Sequence, residues 1–229
     1  SCMASSSAAW VLGGVRLISS ASSTLVNTGP RRNTSSRSRS VMVPVLKSYW
    51  LMIHVSLEAG SYGFLVLGAI IGVLNLLFMI FANTKNRENV YRMIRELSYV
   101  SEMTLIGGLC MISVGTYLGG VWANESWGRY WGWDAKETWA LVTILVYAFI
   151  LHMRLIPGLR GLYAYNLATL FGWASVMMTY FGVNYYLSGL HSYAAGDPVS
   201  VLPFIYYSLA ILTVIALAAY WKDRKVRIG

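Results

Sequence analysis

The sequence predicts an all-α protein, a polytopic transmembrane helix bundle of about five spans with an external Trp-rich loop. Three observations predict it. Of the 229 residues, 56% are hydrophobic and only 12% are charged, against roughly 25% charged residues in an average soluble domain. Apolar runs of about the 20 residues that a bilayer core requires recur along the chain. The two-residue alternation of barrel strands is absent from these runs, and in hydrocarbon runs this long satisfy their backbone only as helices.

The chain divides into an anomalous segment, residues 1–40, and a transmembrane domain, residues 41–229. The first segment holds 12 serines, five arginines and no acidic residue. Its longest apolar stretch, around Trp10–Ile18, is too short to span a bilayer. That composition resembles an organellar transit peptide, and a partial or misframed N-terminus is the rival reading. Either way the segment is expected to be disordered or foreign to the fold.

Five spans follow: Tyr49–Phe81, about Tyr99–Val121, roughly Thr138–Ile156, Tyr163–Leu187 and Leu202–Trp221. Between the first two, Val90, Met93, Ile94 and Leu97 fall at helical spacing within residues 83–98, which reads as a short amphipathic helix on the membrane surface. Basic residues orient the bundle. Lys85, Arg87, Arg92 and Arg95, then Arg154 and Arg160, then Lys222, Arg224, Lys225 and Arg227 fall on one side. The opposite loops, 122–137 and 188–201, carry only Arg129 and Lys136. By the positive-inside rule the first group is cytoplasmic and the Trp-rich loop faces outward.

The formal charge of +9 does not indicate nucleic acid. The basic residues sit in short clusters beside apolar runs, as bilayer orientation requires, and form no phosphate-binding stripe. The two cysteines, Cys2 and Cys110, form no C-x-x-C or C-x-x-C-H, so a thioredoxin-like or c-type haem-bearing chain is excluded. Cys110, inside an apolar run, reads as a packed small residue.

The loop itself, "WANESWGRYWGWDAKETWA" at 122–140, holds five of the nine tryptophans. Interfacial anchoring explains aromatic residues at this level but not their density. Only three histidines exist: His54, His152 and His191. If Tyr62–Phe81 fills the core, His54 stands about 12 Å above it on the outer side. His191 follows the fourth span, also outside. His152 is about 20 Å into the membrane from Trp139, either a functional site by default or a neutral imidazole bonded within the bundle.

Two imidazoles from different helices beside a platform of indoles suit haem. A porphyrin offers two flat faces for aromatic stacking and an iron with two axial positions. Its propionates would take charge-assisted bonds from Arg129 or Lys136. Zinc also takes imidazole, with Asp134 or Glu137 as a further ligand, but makes no use of so many indoles.

"WGRYWGWDAKETWA" (Trp127–Ala140) resembles the tryptophan-rich WWD signature of haem-handling proteins in cytochrome c biogenesis. The "KETWA" continuation and "VPVLKSYWLMIHV" (Val43–Val55) are most similar to the CcsA/ResC type of the system II pathway, and the similarity covers residues 43–221. The resemblance implies that the chain binds haem b and presents it for covalent attachment to the C-x-x-C-H segment of apocytochrome c. It implies a haem lyase-like activity shared with a CcsB/ResB-type membrane partner or a missing fused half, in the bacterial inner membrane with the loop on the periplasmic face. His54 and His191 match the family's external axial ligands to haem iron, and His152 matches a histidine of an internal haem site whose second ligand this chain lacks. Ala135 departs from the proline of many system II relatives and agrees with system I.

On that reading Trp122, Trp127, Trp131 and Trp133 pack the haem, with Arg129 and Asp134 at its rim. Asp134 and Glu137 equally read as caps of the third span or partners of Arg129 and Lys136. Trp50, Trp139 and Trp173 read as interface anchors. Glu58, one turn from His54, is placed to fix its tautomer or to face water, and Glu102 reads as interfacial. A system I-type haem delivery protein, a b-type electron-transfer subunit and a transporter gated by the Trp loop are the alternatives. The second predicts paired histidines inside the membrane at matched depth, and the third predicts no haem.

Overall fold

The computed structural model describes residues 48–187 and 203–228, and all regular structure among them is helical. The expected anomalous segment 1–40 and His191 lie outside the described residues. Helix α1 is Tyr49–Phe81, α2 is Arg87–Trp127 and α3 is Ala135–His152. Two 3-10 turns, Met153–Leu155 and Pro157–Leu159, lead to α4, Leu162–Met177. A π-helical segment, Met178–Gly182, joins α4 to the single turn α5, Val183–Tyr186, and α6 is Pro203–Ile228. Among the described residues, four helical stretches are long and apolar enough to cross a membrane: Tyr49–Phe81, Arg87–Trp127, Ala135–Leu155 and Ile205–Arg224. The remaining expected span is the helical run 162–186, divided by its π segment.

One expectation is corrected at the first connection. Residues 87–98 are not a separate surface helix; they are the first three turns of α2, which continues without a break into the span. Its apolar positions follow the helix into the bundle, where Ile94 is fully buried. No Pro or Gly stands between Arg87 and Ile106, so nothing ends the helix there. Asn86 precedes the helix and Glu88 lies in its first turn, where negative charge suits the helix dipole.

Helices α1 and α2 pack antiparallel along most of their length, and small residues set the spacing. A Cβ on Gly68 would meet Leu105 at 2.5 Å, and one on Gly108 would meet Leu65 at 2.7 Å. Each leucine thus occupies the hole left by the other helix's glycine, the close approach that drives helix association in lipid. The register runs on towards the loop: Glu58 lies over Gly115 and His54 over Gly119.

Helices α3 and α4 close the bundle on this pair. Leu65, Leu105, Tyr147, Ile150, Met153 and Val176 form a buried cluster shared by α1 to α4 and the first 3-10 turn. Trp173, expected as an interface anchor, packs against this cluster. Leu76, Met79, Ile94 and Ala219 join α1, α2 and α6. A polar knot links α1, α2 and α4: Asn75 Nδ2 donates to Asn166 Oδ1 at 2.8 Å and to Ser98 Oγ at 3.2 Å. Asn166 Nδ2 donates to the same Ser98 oxygen at 3.1 Å.

Cys110 is exposed, not packed. In a bundle whose surroundings are apolar, an apolar run covers the outside of a helix as readily as the inside, so hydrophobicity alone does not assign the face.

Candidate functional site

The Trp-rich loop is a short link between two helix ends, and its sequence explains its shape. Gly128 ends α2 in the left-handed conformation, φ 72°, with its N–H donating to the Asn124 carbonyl, the usual glycine stop. Six residues later Asp134 starts α3 with a capping box. Its carboxylate accepts from the Lys136 N–H, while Glu137 Oε2 accepts from the Asp134 N–H. Glu137 Oε2 also accepts from the Gly132 N–H at 2.7 Å. One carboxylate therefore gathers the end of the loop, and the capping role anticipated for Asp134 and Glu137 is what these contacts describe.

At the end of α2 and between the caps the aromatic rings nest edge to face. Trp122, 1% exposed, meets Trp127 at 4.8 Å between ring centroids, and Trp131 meets Trp133 at 5.8 Å. Trp133 is the outlier. It is 71% exposed and has a φ of 54°, a region that costs a bulky residue about 1–2 kcal/mol.

Beneath the loop lies a cavity of about 410 Å³. The start of α1 supplies Leu51, His54, Glu58 and Tyr62; α2 supplies Thr116, Gly119, Gly120 and Trp122; the loop supplies Tyr130 and Trp131. Lys136, Glu137 and Ala140 of α3 and Thr179 and Tyr180 of the π segment complete it. Its size lies within the range of roughly 300–1,000 Å³ typical of ligand sites. A π turn inserts one residue into the helical ladder, a device frequent beside functional sites. Here it coincides with Thr179, which bonds to Thr143 and to the Trp139 carbonyl, and with Tyr180, whose ring lies 6.3 Å from that of Tyr62.

His54 is the best-defined polar group in the cavity. Its Nδ1 lies 2.7 Å from the carbonyl oxygen of Gly115. A carbonyl only accepts, so Nδ1 carries a proton, and whenever the ring is neutral its lone pair falls on Nε2. The ring lies against Gly119, where a Cβ would sit 2.7 Å from Cε1 and 2.8 Å from Nδ1. Gly115 thus orients the imidazole and Gly119 makes room for it. Glu58, one turn along α1, accepts from Thr116 Oγ1 at 3.0 Å, and Lys136 is close enough for its charge to act on that carboxylate.

Of the residues singled out from the sequence, His54, Trp122 and Trp131 meet at this cavity, and Trp127 packs behind Trp122. Trp133 and Arg129 do not line it. The Arg129 guanidinium lies over Gly132, 2.6 Å from where a Cβ would stand. Asp134 is engaged in capping. His152 is elsewhere: it closes α3, exposed, with Nδ1 2.6 Å from the Ala148 carbonyl. About 26 Å of helix separates it from the loop.

Sequence reading missed Gly115, Gly119, Thr116, Tyr62, Thr179 and Tyr180. One signal was present. His54 and Glu58 stand four apart, as do Gly115 and Gly119, so one face of each helix repeats with the same step.

A family model described as cytochrome C assembly protein matches residues 4–191. Protein NrfI of Wolinella succinogenes is 52% identical over 159 residues, covering 69% of this chain and 17% of that protein. Cytochrome c biogenesis protein CcsA of Guillardia theta is 39% identical over 171 residues, 66% of this chain and 56% of its own length. CcsA of Chlamydomonas reinhardtii is 41% identical over 155 residues, 67% of this chain and 43% of its own. The chain therefore spans about half the length of these CcsA relatives and a smaller part of NrfI. With a long apolar helix bundle and a model match over most of its length, the chain belongs to the cytochrome c assembly protein family.

Proposed function

We propose that this chain binds haem b as its substrate beneath the Trp-rich loop and presents it for attachment to the C-x-x-C-H segment of an apocytochrome c. The observation that carries the reading is His54: an imidazole with its Nδ1 proton committed to the Gly115 carbonyl, in an aromatic-walled cavity of about 410 Å³. That tautomer leaves Nε2 as the iron-binding nitrogen, and a backbone acceptor on the other nitrogen is the usual orienting partner of a ligating histidine. The donor set fits a porphyrin. Trp131 and Tyr130 offer flat apolar surface, and Lys136 offers one cation for a propionate.

The residues' work is positioning. His54, Trp131 and Tyr130 fix the plane of the substrate, and Lys136 its rotation within that plane. His191, outside the described residues, is the proposed second axial ligand, and its assignment rests on the resemblance. The haem vinyl groups supply the reactive carbons to which the two cysteine thiols add. What the protein contributes is orientation, plus exclusion of water by the aromatic walls. His152 is assigned to an internal haem site whose other ligand comes from a CcsB/ResB-type partner or fused half. The membrane is the bacterial inner membrane, with the Trp loop on its outer face. The geometry disfavours a b-type electron-transfer subunit built on His54 and His152, which lie at opposite ends of the bundle.

The test is the visible absorption spectrum of detergent-purified full chain, oxidised and reduced, for wild type, His54→Ala and His191→Ala. Sharp bis-imidazole b-type bands, lost or broadened in each variant and restored by imidazole, are expected. A spectrum without haem, or with bands unchanged in both variants, overturns the external ligand assignment.

A further inference from the structure

A second cavity, of about 320 Å³, opens at the other end of the bundle. Its walls come from α2, the two 3-10 turns and the start of α4, and three arginines converge on it: Arg95, Arg154 and Arg160. Arg95 and Gly119 stand about 36 Å apart along α2 at 1.5 Å per residue. The facing lining residues of the two cavities on that helix, Tyr99 and Thr116, are about 26 Å apart, so the two cavities lie towards opposite sides of a hydrocarbon core of about 30 Å.

Three guanidinium groups from separate stretches of chain repel one another at one cavity unless negative charge lies among them. Glu102 supplies one such charge, pairing with Arg154, whose guanidinium also lies 5.8 Å over the Tyr99 ring. A net charge of about two positive units then remains around the cavity. The base of the cavity is firm. Ser98 accepts from both Asn75 and Asn166 and donates to the Ile94 carbonyl at 2.7 Å. The Tyr165 hydroxyl reaches Ser101 at 3.4 Å. Guanidinium forks match phosphate oxygens in geometry as well as charge, and basic pockets between membrane helices at headgroup level suit anionic lipid heads.

We infer that this cavity binds an anionic phosphate group, held by Arg95 and Arg160 with Arg154 as the fixed third side. Neither the Trp loop nor haem takes part, so the inference stands apart from the proposed function. The phosphate of an acidic phospholipid and a soluble phosphate ester share this chemistry, and the experiment separates them.

Full-length protein is placed in nanodiscs of equimolar phosphatidylglycerol and phosphatidylcholine, and the lipids it retains are counted by native mass spectrometry. The same protein in phosphatidylcholine alone is titrated calorimetrically with glycerol 3-phosphate and inorganic phosphate. Wild type is expected to retain phosphatidylglycerol selectively, and the R95Q/R160Q variant to retain about tenfold less. The charge-matched R87Q/R92Q variant, altered at the same end of the bundle but outside the cavity, is expected to behave as wild type. Calorimetric binding without selective lipid retention, lost in R95Q/R160Q, would assign the site to a soluble phosphate. Equal retention of both lipids with no calorimetric signal would overturn the inference. So would equal losses in the two double variants, which would make the effect one of general surface charge. Circular dichroism and gel-filtration profiles matching wild type establish that each variant is folded.

Discussion

Gly119 carries no side chain because the imidazole of His54 occupies the space one would fill: a Cβ there would stand 2.7 Å from the ring. The contact ties α1 to α2 at the level of the Trp loop, with the Gly115 carbonyl 2.7 Å from Nδ1 setting the ring's rotation. A histidine whose position is determined from two sides is one whose displacement has a measurable consequence.

Gly119→Ala is therefore expected to broaden or shift the haem bands while leaving the helical signal intact. Overpacking of this kind costs about 1–3 kcal/mol, and the ring is the part free to move. Gly107→Ala is the control, because its nearest neighbour is a Phe64 ring carbon at 3.6 Å, ordinary contact distance. Absorption spectra of both variants, recorded with circular dichroism, check the expectation. Equal spectra in Gly119→Ala and wild type would mean that the His54 ring does not bear on the haem.

The two candidate cations of the loop are separated by the structure in a way the sequence does not separate them. Lys136 lines the cavity, whereas Arg129 lies against Gly132 outside it. Lys136→Gln is expected to weaken haem binding by roughly tenfold, the size of one charge-assisted hydrogen bond, and Arg129→Gln by little. Titration of the apoprotein with haem measures both. The reverse order would place the propionates at Arg129 and not at the cavity.

Much of the fold is legible in the sequence because a membrane span needs only a long apolar run. Both ends of the Trp loop are legible too, since Gly128 and the Asp134–Glu137 pair are local signals. What was not legible depends on the approach of one helix to another. The continuity of α2 through residues 87–98 is decided by the absence of a breaker together with burial of Ile94 by α1 and α6, and periodicity alone does not reveal that. The side of Cys110 is ambiguous for the same reason. The cavity needs the α1–α2 register, which places His54 opposite Gly119, and the π turn at Thr179, which no residue pattern announces.

The capping box gives a stability prediction. Asp134→Ala removes the acceptor of one helix N–H and is expected to cost about 1 kcal/mol. Glu137→Ala is expected to cost more, because the N–H groups of both Gly132 and Asp134 lose their acceptor. Thermal unfolding in detergent gives the order. A smaller loss for Glu137→Ala than for Asp134→Ala would mean that the Gly132 bond contributes little to the loop.

Trp133 offers a test of opposite sign. Its φ of 54° strains any residue with a Cβ, and its ring is mostly exposed. Trp133→Gly removes ring and strain together, while Trp133→Ala removes only the ring. The glycine variant is expected to be the more stable of the two by about 1 kcal/mol, against the usual loss on placing glycine in ordered chain. Unfolding midpoints of the two variants decide it. Greater stability of the alanine variant would mean that the backbone relaxes without cost.

Asn75 and Asn166 meet at 2.8 Å in the interior of the bundle, each completely buried, and the Oδ1 of Asn75 makes no hydrogen bond. A buried amide with one unmet acceptor contributes less than a saturated one, since part of its desolvation is not offset. Replacing Asn75 by leucine removes that unmet oxygen with the rest of its amide, but takes the donor from Asn166 Oδ1 and leaves it unmet in turn. Replacing both residues by leucine removes the two amides together. The double variant is therefore expected to lose less stability than the two single variants summed. Polar pairs between membrane helices couple by about 0.6 kcal/mol on average and up to about 1.7 kcal/mol, and the shared oxygen of Ser98 puts this pair towards the upper figure. A double-mutant cycle on unfolding free energies measures the coupling. A value near zero would mean that α1 and α4 are held by the close contact of Gly72 with Thr169 and not by the amides.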